Sequence, residues 1–187
     1  DALTGEILWG YFMGKDIGRG MAADIDPRYE GAEMWSASNE NVYDCKGNPT
    51  DIIRPSINFS IYWDGDLLME LFDSNNSDEL VPRVEKWDWE NQKNMDILLA
   101  SGTQLNNGTK ANAGIVADIY GDWREEFIVR DAQDNTKIRI YSTNIPTEYV
   151  FPCLLENRTY REGIAWQNTG YNQPANLPYL LTEEMSR

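Results

Sequence analysis

Residues 114–130 read GIVADIYGDWREEFIVR: an apolar run, a cluster of carboxylates around a glycine, and a second apolar run. The flanks GIVADI and EEFIVR have the length and β-branched content of strands. Asp118, Asp122 and Glu126 therefore fall in or beside a connection between two strands. The same arrangement occurs twice upstream. MAADI and EMWSA bracket Asp24, Asp26 and Glu33, and the stretch DGDLLME supplies Asp64, Asp66 and Glu70.

Carboxylates packed this closely repel one another unless a cation lies among them, and hard divalent ions prefer oxygen-rich, flexible loops. Such an ion needs more oxygens than two or three side chains provide, so backbone carbonyls must contribute. The carbonyl near Leu68 is the candidate in the second cassette and that of Tyr120 in the third, with Gly65 and Gly121 permitting the bends. The competing reading is three acidic turns facing solvent, because Asp and Gly are ordinary turn residues.

Asp24, Asp64 and Asp118 are 40 and 54 residues apart. Strand-like runs recur between them, as in ILWGYFM, SINFSIYW, KIRIYST and GIAWQN, separated by turn sequences such as CKGN, SNNSD, NNG and AQDN. Helical periodicity is scarce; Leu67 to Phe72 is its longest candidate and alternates as a strand equally well. The reading is all-β, and repeats of this length with about four strands each are the mark of β-propeller blades. Asp1, Thr4, Gly5, Glu6, Leu8 and Trp9 form a turn and strand common at the end of a blade in quinoprotein-like propellers. A quinoprotein-type dehydrogenase would leave the carboxylate cassettes unexplained. About three blades and part of one cannot close a ring, so residues 1–187 are expected to be one segment of a single propeller, completed upstream or by another chain.

The chain of 187 residues carries a formal net charge of −15, which argues against nucleic acid and anionic membranes as partners. It has no histidine, which removes imidazole as ligand or base and makes zinc chemistry an unfavoured reading. Cys45 and Cys153 can pair or stay free. No stretch is long or apolar enough to span a bilayer as a helix, and DALTGE is not a signal peptide.

The segments GKDIGRGMAADIDPRYEGAEMW, PSINFSIYWDGDLLMELFD, NNGTKANAGIVADIYGDWREEFIVR, IPTEY and WQNTGYNQP together resemble the C-terminal portion of the rhamnogalacturonan lyases of polysaccharide lyase family 11. The resemblance covers nearly all of the chain and implies a segment of a secreted, eight-bladed propeller with several bound Ca2+. It also implies a pectin-degrading enzyme that acts on rhamnogalacturonan I by β-elimination between rhamnose and galacturonate. The isolated segment, lacking most of the cleft, is expected to be inactive. LEN at 155–157 and ANLP at 175–178 stand where relatives often carry histidine.

The resemblance places Asn107, Gly108, Thr109 and Lys110 in the central cleft and Asn168, Gly170 and Tyr171 at the sugar, with Asn172 as a further calcium ligand. The first of these stretches, NNGTK, also reads as a tight turn. Trp166 is expected in the core. Arg19, flanked by Gly18 and Gly20, is either a surface arginine or a clamp on a galacturonate carboxylate, for which guanidinium is suited. Without histidine, Lys110 and Tyr171 are the candidate proton-handling groups in motif-matched positions. A non-catalytic, calcium-bound module for carbohydrate binding or adhesion is the alternative, and it has no need of the ensemble formed by Arg19, Asn107 to Lys110 and Asn168 to Tyr171.

Overall fold

The computed structural model describes residues 1–75, 80–107, 110–169 and 173–187. The first acidic cassette folds as strand, loop and strand. β1 (Gly20–Ala23) runs antiparallel to β2 (Glu33–Ser36) with Ala23 opposite Glu33, and β3 (Asn39–Tyr43) completes a three-stranded sheet. The second cassette repeats the arrangement. β4 (Phe59–Ile61) pairs with β5 (Glu70–Ser74), Ile61 opposite Glu70, and β6 (Pro82–Asp88) and β7 (Lys93–Leu99) extend the sheet to four strands.

In the third sheet, β10 (Glu126–Asp131) is the hub. It pairs with β11 (Ile138–Tyr141) on one edge and with the short β8 (Thr103–Gln104) and β9 (Ile115–Ala117) on the other, again with an alanine, Ala117, opposite the glutamate Glu126. The protein is all-β in its main elements, with one cassette per sheet; all three sheets are antiparallel and open.

Successive side chains of a strand point to opposite faces, and both faces of the central sheet are covered. Leu71 packs with Met21, Trp35, Trp87 and Trp123, whereas its neighbour Phe72 packs with Phe59, Val84, Phe127 and Val129. That is why β5 is buried along its whole length. Ring contacts join the central and third sheets: Phe72 lies 4.9 Å from Phe127, which stacks on Tyr141 at 4.8 Å. On the opposite side Trp123 meets Tyr62 and Phe151 edge-on at 6.0 and 5.2 Å.

Several sequence expectations are corrected. GIAWQN is not a strand: residues Arg158–Trp166 form a helix, α1, started by Asn157, whose side-chain oxygen accepts the Tyr160 amide at 3.2 Å. Trp166 is 67% exposed rather than in the core, because Tyr160 is the residue α1 buries. ILWGYFM forms no strand; Trp9 and Tyr11 instead pack on Tyr43, with Tyr11 stacked on it at 4.8 Å. The ambiguous stretch Leu67 to Phe72 resolves into a loop entering β5. Cys45 and Cys153 are both free thiols.

Candidate functional site

One device recurs in all three cassettes. The glutamate that opens the second strand turns its Oε2 back over the loop and accepts two consecutive backbone N–H groups. Glu33 accepts from Ile25 and Asp26 at 3.0 and 3.1 Å, Glu70 from Trp63 and Asp64 at 2.9 and 3.0 Å, and Glu126 from Ile119 and Tyr120 at 2.8 and 3.0 Å. In each case the amides are those two and three residues beyond the strand partner, Ala23, Ile61 or Ala117. All three glutamates are buried, so each offsets part of the cost of its own burial with two backbone hydrogen bonds while fixing the loop that carries the aspartates.

The cassettes differ in how well they suit a divalent cation. In the first, Glu33 Oε1 is buried without a hydrogen-bond partner among the described residues. Burial pushes Glu33 up to about 8, and burial with Asp66 and Asp26 nearby pushes Asp24 up to about 6. An orphaned carboxylate oxygen among further carboxylates is a donor set that a hard cation satisfies. Asp26 is otherwise engaged: Trp87 Nε1 donates to it at 3.1 Å and Arg28 Nη2 at 2.7 Å, which holds its carboxyl below the usual range against the effect of burial.

In the second cassette, Asp64, Asp66 and Glu70 bring one oxygen each within 4.8 Å of one another, the one such acidic trio among the described residues. Lys86 of β6 reaches into it, bonding to Asp64, to Asp66 at 2.5 Å and to Glu70 at 3.2 Å. Burial pushes Glu70 up and the ammonium draws it back. The first two cassettes also adjoin, since the Met69 amide donates to the Asp24 carbonyl at 2.7 Å. At the bend, Gly65 has φ +93° and packs so closely that a Cβ would lie 2.8 Å from Thr147 Cβ.

The third cassette is built differently. Asp118 spends both oxygens on amides: Oδ1 accepts from Gly121 at 2.7 Å, and Oδ2 from Trp123 at 3.2 Å and Leu154 at 2.7 Å. Asp122 pairs with Arg124 at 2.9 Å. Beneath lies Glu125, fully buried and pushed up to about 7 by burial; it accepts the Tyr62 amide at 2.9 Å and the Tyr160 hydroxyl at 2.5 Å. Nothing in the acidic pattern distinguishes Glu125 from its neighbour Glu126. Only the alternation of β10, entered at Glu126, separates them.

The residues expected at the sugar are partly drawn together. Asn107 Oδ1 accepts the Lys110 amide at 3.2 Å, and Asn107 pairs across the turn with Asn112. Asn112 then donates to Asn168 Oδ1 at 3.5 Å, and Asn168 donates to the Gly114 carbonyl at 2.7 Å. Asn112 thus joins the Asn107–Lys110 turn to Asn168. Gln167 secures the join by pairing its side-chain amide with both backbone groups of Val116, at 2.9 and 2.7 Å. Gly108, Thr109, Gly170, Tyr171 and Asn172 lie outside the described residues.

Arg19 is not a surface arginine: it is 4% exposed. Its guanidinium lies 5.9 Å over the Phe59 ring, within the same apolar cluster as Ala111, next to Lys110. Nη2 donates to the Asn58 carbonyl, while Nε and Nη1 are buried without a partner among the described residues.

Three open antiparallel sheets, each entered through the same glutamate-capped acidic loop, define an all-β protein built from a repeated strand–loop–strand unit. The family model described as rhamnogalacturonan lyase family 11, C-terminal domain, matches residues 1–187, and the chain belongs to this family. Across its whole length it is 50% identical to rhamnogalacturonan endolyase YesW and 43% identical to rhamnogalacturonan exolyase YesX, both of Bacillus subtilis (strain 168), covering 28% and 32% of those proteins. The crystal structure of YesW superposes with a TM-score of 0.88. A rhamnogalacturonan lyase of Bacillus licheniformis, 51% identical, gives 0.88 as well, and the match covers 100% of this chain and 30% of that one. The chain therefore spans about a third of the length of the relatives it matches.

Proposed function

We propose that this chain forms the C-terminal blades of a calcium-bound β-propeller in a secreted rhamnogalacturonan lyase, which cleaves the rhamnose–galacturonate backbone of rhamnogalacturonan I by β-elimination. The reading is carried by the family assignment over residues 1–187, and Arg19 gives it a geometric footing. Its buried Nε and Nη1 carry three N–H groups without a partner among the described residues, each orphaned group costing about 1–3 kcal/mol, a deficit that a uronate carboxylate would remove once the side chain turned out to meet it.

β-Elimination requires that the uronate carboxylate be neutralised, that the C5 proton be removed, and that the C4 oxygen leave as the C4–C5 double bond forms. Arg19 offsets the carboxylate charge, which acidifies the neighbouring C–H. Lys110 and Tyr171 are the candidate groups for moving the proton. Asn107 and Asn168, held in register by Asn112, would bond to the sugar hydroxyls, and Gly108, Thr109 and Gly170 are the further candidates for this contact.

Calcium, when bound, ties strands together rather than entering the elimination. Asp24 and Glu33 would hold one ion, with Asp26 joining them only by giving up Arg28, and Asp64, Asp66, Glu70 and the Leu68 carbonyl would hold another. Asp122, Glu126 and the Tyr120 carbonyl remain for the third loop once Asp118 serves the backbone, and Asn172 is a further candidate.

Incubating the complete gene product with rhamnogalacturonan I and following the ultraviolet absorbance of the unsaturated uronate tests the reading. Product that appears with calcium, and is lost on chelation or in Arg19→Ala, supports it. Binding without any unsaturated product overturns it in favour of a non-catalytic carbohydrate-binding module.

A further inference from the structure

Between the first two cassettes and the C-terminal stretch lies a cavity of about 200 Å3, lined in part by Ala22, Asp24, Tyr62, Met69, Asn176 and Tyr179. Tyr62 is 6% exposed, and among the described residues neither its hydroxyl nor the Asp24 carboxylate has a hydrogen-bond partner. Burial, with Glu125 and Asp24 nearby, pushes that hydroxyl above its ordinary range, so it stays a proton donor. An unused donor and an unused acceptor therefore line one small opening, with the exposed Asn176 at its lip. We infer that this cavity is an accessory subsite for a single neutral pyranose ring, the rhamnose of rhamnogalacturonan I, separate from the candidate sugar contacts around Asn107 and Asn168.

The inference rests on the lyase reading for the identity of the sugar, and on the lining for its chemistry. A hydroxyl group accepts from one partner and donates to another, so one sugar hydroxyl satisfies Tyr62 and Asp24 together. An apolar ligand would leave both unpaired, and a cation would use Asp24 but not a phenolic proton. A uronate would bring its charge against Asp24, which already stands near Asp66 and Asp26. Ala22, Met69 and the half-exposed Tyr179 offer apolar surface to the C–H face of a ring and to the methyl group of a deoxyhexose. The volume lies below the ~300 Å3 at which sites for larger ligands begin, which limits the cavity to one ring. Asp24 is also a candidate calcium ligand, and a carboxylate that ligates through one oxygen keeps the other for a hydroxyl. Tyr62 and Met69 pack on the Leu71 side of the central sheet, whereas Phe59 beneath Arg19 and Ala111 beside Lys110 pack on the Phe72 side. A polymer bound at the cavity is thus held across that sheet from Arg19 and Lys110.

The test uses the complete gene product in excess calcium, with its methionine methyl groups labelled for NMR so that Met69 reports on the cavity. Tyr62→Phe removes only the hydroxyl, and Ala22→Leu fills the cavity from an exposed position of β1. L-Rhamnose is expected to shift the Met69 methyl saturably and D-galacturonate to leave it unmoved. Both variants should weaken the rhamnose response roughly 3- to 10-fold and raise KM on the long polymer by a similar factor, with kcat, cleavage of short oligosaccharides and unfolding temperature unchanged. No saturable shift with rhamnose, an equal shift with galacturonate, a response untouched in both variants, or a weakening that only follows the unfolding temperature would each overturn the subsite, whether or not the enzyme cleaves. A rhamnose response lost in the variants, with no unsaturated product from the unmodified protein, would leave the subsite standing and overturn the lyase reading instead.

Discussion

Tyr160 donates its hydroxyl proton to Glu125 Oε1 at 2.5 Å and accepts the Asp118 amide at 3.0 Å, so α1 is pinned to the third acidic loop by one phenol. Burial beside Glu125 drives the Tyr160 hydroxyl far above its usual titration range, leaving it a permanent donor. Tyr160→Phe removes a partner from a fully buried carboxyl group and from a backbone amide, and is expected to destabilise the fold by about 1–3 kcal/mol in urea unfolding. Tyr149→Phe is the control: its hydroxyl meets the exposed Glu183 at 2.9 Å, and its loss is expected to cost under about 0.5 kcal/mol.

Lys86 occupies the trio that a divalent ion in the second loop would use. With the ammonium bonded to Asp64, Asp66 and Glu70, a divalent ion entering that loop must displace it. Lys86→Met is expected to lower stability in chelator, since three carboxylates lose their cation, and to raise calcium affinity by calorimetry. An unchanged affinity would mean that the ion does not use this trio.

The legible and illegible parts of the chain divide along physical lines. The cassettes could be read because a strand–loop–strand unit with its glutamate in a fixed place repeats, and repetition survives local ambiguity. α1 could not, because RTYREGIAW mixes charge with few apolar residues, and its helical state rests on the Asn157 cap and on Tyr160 reaching Glu125. The exposed apolar residues of ILWGYFM read as a strand on composition, but pairing needs a neighbour, and Tyr43 offers them a ring instead. Arg19 was singled out by its glycines.

The first cassette predicts a reversal of pH dependence. Glu33 titrates near 8 and Asp24 near 6 in the folded protein, against 4.5 and 3.8 as ordinary values. Between those limits the folded state binds more protons than the unfolded one, so stability falls as pH rises from about 3.8, where Asp24 begins to contribute, to about 8, where Glu33 ceases to. In chelator the unfolding temperature should drop across this window, and Glu33→Gln should flatten the drop. In excess calcium the slope should weaken or invert, because the ion favours the deprotonated carboxylates. A slope that is the same with and without calcium would exclude an ion from this loop.

Gly65 ties the shape of the second loop to its charge. Its φ of +93° is a conformation that side chains strain to adopt, and an added Cβ would lie 2.8 Å from Thr147 Cβ, whose own Oγ1 donates to the Gly65 carbonyl at 2.6 Å. Gly65→Ala must therefore shift the loop, at a cost of about 1–3 kcal/mol, and the shift falls on the neighbours Asp64 and Asp66. Calcium affinity should fall together with stability. Gly10→Ala, where nothing lies within 4 Å of the added carbon, is expected to change neither. A Gly65→Ala protein that keeps its affinity while losing stability would place the ion elsewhere than between these two aspartates.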